Sequence, residues 1–141
     1  MSNEPAIFER RFLNQFDDLG RVLDEAVQFL KERGTANQTV YVANLAIEEL
    51  VTNIIKYGYD DTAAHEILLR VEIRPGILRL RLEDDGHEFN PLAAPEPDIT
   101  LPAEQRVPGG LGIHLVRHLV EDIHYQRSAG RNQVTVTIRS A

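Results

Sequence analysis

The sequence predicts an α+β protein, a two-layer α/β sandwich with helices on one face of a mostly antiparallel, mixed sheet. Three observations carry this. Apolar spacing gives the order strand, helix, helix, hairpin, loop, helix, hairpin, and runs of strands paired as hairpins favour an antiparallel sheet. The 141 residues suit one domain over 1–141, long enough for a sizeable core without staples. The chain has no cysteine, which excludes disulfide scaffolds, zinc knuckles and thiol nucleophiles.

Ala6–Phe12 alternates apolar and polar residues and reads as the first strand. From Asp17 to Arg33, the residues Leu19, Val22, Leu23, Ala26, Val27 and Leu30 form one stripe at helical period, and Gly34 ends it. A second helix from Thr39 to Tyr57 turns Ala43, Ala46, Ile47, Leu50, Val51 and Ile54 inward. Glu66–Arg74 and Ile77–Asp84 form a hairpin about Pro75-Gly76. A third helix is expected over Gly110–Asp122. The strands His124–Ser128 and Gln133–Arg139 close the chain around a turn at Ala129–Asn132. Between His87 and Gly110 lie five of the seven prolines, with no apolar period. A loop of that length inside a small domain is either a functional lid, ordered when a ligand binds, or disordered.

Net charge is -7, from 15 Lys and Arg against 22 Asp and Glu. That balance argues against nucleic acid or an anionic membrane as a direct partner, since phosphate-rich surfaces select clustered positive charge. The first residues lack the layout of a secretory signal and no apolar run approaches a membrane span, so a cytoplasmic protein is expected.

Polar residues that break the burial pattern point to chemistry. On the second helix, Glu49, Asn53 and Lys56 fall at i, i+4 and i+7 and project within roughly 60° of one another. A carboxylate, an amide oxygen and an ammonium in one stripe suit a metal–phosphate, although a solvated face has the same pattern. Asp84 falls in phase with Leu78, Leu80 and Leu82, so the pleat aims its carboxylate at the apolar side of the sheet. There it needs donors, and a purine amino group is one; an ordinary Asp-Asp-Gly turn is the plainer alternative. Pro108-Gly109-Gly110-Leu111-Gly112-Ile113 runs glycines into a helix start, where free amides suit an anion. It is neither a Walker motif nor a dinucleotide fingerprint. The five histidines show no ligand spacing with a third partner.

These three segments resemble the motifs of the ATPase superfamily of DNA gyrase, histidine kinases and mismatch-repair ATPases, the Bergerat fold. Glu49–Tyr57 resembles its N-box, Asp84–Pro91 its first glycine box and Gly109–Ile113 its second. The short chain and the Asp-x-Gly-x-x-Phe-x-Pro form are similar to the bacterial anti-sigma-factor serine-protein kinases. The resemblance implies ATP and magnesium as cofactors, with a lid over about 87–110. Asn53 would ligate the magnesium, Glu49 would be the base toward an attacking hydroxyl, and Asp84 would accept from the adenine amino group. Gly86 would admit the ring, Gly110 and Gly112 would let amides wrap the phosphates, Lys56 would contact phosphate, and Thr135 would support the adenine pocket from its strand. It also implies a STAS-domain anti-anti-sigma partner phosphorylated on serine or threonine, in many members a sigma factor held inactive, and is compatible with a homodimer. Glu88, Asn90 and Pro108 depart from the family pattern without removing a nucleotide-binding residue. An ATP-binding switching module with little or no kinase turnover is the alternative. A sensor histidine kinase domain would need upstream dimerisation helices that the sequence does not carry.

Overall fold

The computed structural model describes residues 5–93 and 110–140. In chain order the elements are β1 (Ala6–Leu13), α1 (Phe16–Glu32), α2 (Asn37–Tyr57), β2 (Glu66–Arg74), β3 (Ile77–Asp84), a 3-10 turn at Pro91–Ala93, α3 (Gly110–Leu119), β4 (Asp122–Ser128) and β5 (Arg131–Arg139). The strands form one sheet in the order β1-β2-β3-β5-β4. All four pairings are antiparallel, so the parallel component of the expected mixed sheet is absent among the described strands.

Register sorts the side chains. Phe8 and Phe12, Ile67, Leu69 and Val71, Leu78, Leu80 and Leu82, and Val134, Val136 and Ile138 share one face and are buried. Against them pack the apolar stripes of α1 (Leu19, Val22, Ala26, Phe29, Leu30) and α2 (Ala43, Ala46, Ile47, Leu50, Val51, Ile54), with Ile113 and Val116 of α3. Phe29 stands beside the stripe read from sequence and tilts against Phe8 at 5.5 Å between ring centroids. The opposite face carries Arg79, Arg81, Glu83, Thr135 and Thr137, as period-2 alternation requires.

The last hairpin departs from expectation at both ends. α3 stops at Leu119, and β4 begins at Asp122, because Ile123 pairs with Val136 and the Glu121 amide donates to the Thr137 carbonyl at 2.9 Å. The turn is two residues long, Ala129 (φ 53) and Gly130 (φ 75), so β5 starts at Arg131 and places Asn132 directly opposite Asp84. The expected lid falls largely on residues 94–109, outside the described residues. No described helix is long and apolar enough to cross a membrane.

Candidate functional site

The site lies where α2 crosses the β3–β5 end of the sheet and meets the start of α3. Asp84 is the last residue of β3 and is 4 % exposed. Its Oδ1 accepts from the Gly86 amide at 2.9 Å and from Asn132 Nδ2 at 3.0 Å. Among the described residues nothing donates to Oδ2. Burial raises the Asp84 carboxyl above the usual range, opposed by those two hydrogen bonds. Beside it is a small pocket walled by Leu50 and Ile54 of α2, Val134 of β5, and Phe89 and Pro91 of the following segment. The lining, apolar walls with one carboxylate oxygen open at the edge, has the chemistry that a flat aromatic ring bearing an amino group needs, and at about 10 Å³ the pocket must widen to admit one.

Gly86 is present for a close approach. A methyl group there would overlap the Gly58 carbonyl oxygen, which also accepts from the His87 amide at 2.9 Å. The turn after α2 and the turn after β3 therefore touch backbone to backbone, which only a residue without Cβ permits.

On the α3 side of α2, Asn53 is 6 % exposed and no described residue forms a hydrogen bond with its side chain. A buried amide with no hydrogen-bond partner among the described residues has its oxygen and nitrogen available to a ligand. Glu49, one turn earlier, is half-buried, and its carboxylate lies against Gly112 so closely that a methyl group at Gly112 would overlap it. Lys56 is exposed at the end of the stripe. Gly110 is the first residue of α3. No group of three or more His, Asp or Glu capable of holding a metal occurs among the described residues. The donor set fits magnesium arriving with phosphate oxygens: one hard amide oxygen from Asn53, with a glycine-built helix start beside it.

Of the residues expected from sequence, Glu49, Asn53 and Gly112 come together on the α3 side, and Asp84 and Gly86 on the sheet side. Thr135 does not join them. It pairs with Arg81 and His124 on the face turned away from the helices, and Val134 faces the pocket instead. Sequence reasoning missed Asn132, which is 2 % exposed. Its Nδ2 donates to Asp84 and, at 2.7 Å, to the His87 carbonyl. Its Oδ1 accepts from Tyr125 Oη at 2.6 Å, Arg127 Nη1 at 3.0 Å and the Phe89 amide at 3.4 Å. The signal is present, since Asn132 is in phase with Val134, Val136 and Ile138, but a turn expected over Ala129–Asn132 is two residues longer than the one observed and hides it.

Residues 12–138 match the family model described as "Histidine kinase-like ATPase domain". The chain belongs to the histidine kinase-like ATPase domain family. Among curated relatives, "Serine/threonine-protein kinase BtrW" of Bordetella bronchiseptica is 28% identical over 114 residues, covering 79% of this chain and 78% of that protein. Among solved structures, the crystal structure of the RsbU and RsbW domains of Rv1364c from Mycobacterium tuberculosis superposes with a TM-score of 0.69 at 18% identity. That match covers 96% of this chain and 32% of the solved one, so this chain spans about a third of that chain's length. The α+β fold inferred from the sequence is the fold of that relative.

Proposed function

We propose that this histidine kinase-like ATPase domain is an ATP- and magnesium-dependent protein serine/threonine kinase of the anti-sigma type. The observation that carries the proposal is the buried Asn53 beside Glu49 and the glycine start of α3, one helix face away from the Asp84 pocket. The similarity to a serine/threonine-protein kinase and to a structure containing an RsbW domain supports the same reading.

In this reading the adenine amino group donates to Asp84 Oδ2, and the ring lies between Leu50, Ile54 and Val134. Amides at Gly110 and Gly112 receive the phosphates, Asn53 Oδ1 is the protein's oxygen on magnesium, and Lys56 neutralises phosphate charge. Magnesium, when bound, withdraws charge from the β- and γ-phosphates. The Glu49 carboxylate takes the proton of the serine or threonine hydroxyl as that oxygen bonds to the γ-phosphorus, and ADP leaves. The substrate is an anti-anti-sigma protein of the STAS type, and a sigma factor is a second partner. The chain acts in the cytoplasm as one domain over 1–141, with 87–110 as its lid. The contact between Glu49 and Gly112 favours a second reading, ATP-dependent binding with slow turnover, because the base lies against α3.

Incubation with radiolabelled ATP, magnesium and STAS proteins from the same genome tests the proposal. Stoichiometric label on a partner serine or threonine is expected. Nucleotide-dependent complex formation without label supports the second reading, and the absence of both label and complex would overturn both readings.

A further inference from the structure

Asn132 is engaged at every polar position it has. One side-chain amide links Asp84 of β3 to the His87 carbonyl and Phe89 amide of the segment beyond it, and to Tyr125 and Arg127 of β4. Arg127 also donates to the Gly86 carbonyl at 3.1 Å. The two N–H groups of Asn132 are both spent, one on Asp84 Oδ1 and one on His87, so its orientation admits no flip: its oxygen already faces three donors. With Gly86 N–H, the amide fills Oδ1 and leaves Oδ2 with no donor among the described residues.

Resting on the ATP reading and deepening it, we infer that Asn132 is the positioning residue that keeps Asp84 an acceptor-only reader of the base. It thereby sets the preference for a purine with an amino group at that position over one with an oxo group. A carboxylate cannot donate, so a purine oxo oxygen meets Oδ2 with two lone pairs and no proton. A protonated carboxyl reverses this, losing one acceptor and gaining a donor that matches the oxo group. Asn132 and Gly86 are the hydrogen bonds that favour the ionised form against burial. The other groups facing the pair are Asp85, which disfavours ionisation of Asp84, and Arg131, which favours it. Tyr59 stands near Asp84 from the turn after α2, and Tyr125 and Arg127 face Asn132 from β4.

The test is calorimetric titration of the full chain with Mg–ATP and Mg–GTP between pH 5 and 8.5, using wild type, Asn132→Ala and Asn132→Asp. Wild type should prefer ATP, and on acidification its ATP affinity should fall while its GTP affinity rises. Asn132→Ala should bind ATP about tenfold more weakly at pH 7.5. Its change from ATP to GTP preference should come at a higher pH than in wild type. Asn132→Asp, similar in size but without a donor when ionised, should show the same displacement, and its pH profile decides if Asn132→Ala does not fold. Variants that melt earlier yet keep the wild-type ATP-to-GTP ratio and pH profile would overturn the inference, because a merely structural role predicts that result. Wild-type affinities for ATP and GTP that fall together on acidification would overturn it as well. Wild type binding neither nucleotide would instead remove the ATP reading on which the inference rests.

Discussion

At the residue scale the site divides into side chains that hold and side chains that react, and substitutions separate them. Asp84→Asn keeps the shape but presents an amide that need not accept from the base. Loss of a hydrogen bond to a charged acceptor costs about 1.5–3 kcal/mol, so ATP affinity should drop roughly ten- to a hundredfold by calorimetry. Asn53→Ala should remove the magnesium dependence of nucleotide binding. Glu49→Gln should leave binding intact and slow phosphoryl transfer by about 10²–10⁴-fold in single-turnover assays. The two glycines respond differently to one methyl group. At Gly86 it meets the Gly58 backbone, which cannot retreat without breaking the His87–Gly58 hydrogen bond, so Gly86→Ala should cost about 1–3 kcal/mol in denaturant unfolding. At Gly112 it meets the end of the flexible Glu49 side chain, so Gly112→Ala should leave stability nearly unchanged and disturb the base. These residues were legible to different degrees. Asp84 announced itself by phase and Glu49 with Asn53 by spacing, because those patterns depend only on local periodicity. Thr135 was placed by resemblance, although its own alternation with Val134 and Val136 assigns it to the other face.

At the scale of elements, legibility followed the turn chemistry. The Pro75-Gly76 hairpin has turn residues of the expected kind, and β2 and β3 have the ends that periodicity predicts. The β4–β5 hairpin does not, because Ala129 occupies a left-handed conformation that turns reserve for Asn, Asp or Gly. Without that cue the sequence pattern extends the turn through Asn132 and hides the register opposite Asp84. A left-handed backbone costs a non-glycine residue roughly 1–2 kcal/mol, less for Asn. Ala129→Asn, giving an Asn-Gly turn, should therefore stabilise the protein by about 1 kcal/mol, read as a higher urea midpoint with an unchanged slope. ATP affinity should not change, since β5 keeps its register and Asn132 its partners.

Across the whole molecule, the two halves of the site are joined through the turn after α2, and that junction carries a titratable latch. His65 Nε2 lies 2.7 Å from Asp61 Oδ1, its Nδ1 lies 3.2 Å from Asp85 Oδ1, and its ring stacks on Tyr59 at 4.3 Å. Both ring nitrogens face carboxylates, so only the imidazolium donates to both. The hydrogen bond to Asp61, then that to Asp85, raises the His65 pKa above 6.5 against the cost of desolvation. A cation whose pKa is raised by folding adds stability that is complete below its unfolded value and disappears as pH rises through its folded one. Asp61 is shifted the other way, first by His65, so its share is present above 3.8 and lost as pH falls through its depressed value. The latch is therefore closed between those limits, in the window between the unfolded values of Asp61 and His65. His65→Ala should melt below wild type at pH 6, and the two melting curves should converge as pH rises past the folded His65 value. Because Asp85 adjoins Asp84 and Gly86, hydrogen exchange should show the excess opening in residues 58–65 and 84–87 first. A melting difference between wild type and His65→Ala that stays constant from pH 6 to pH 10 would assign the contribution of His65 to its stacking on Tyr59 alone.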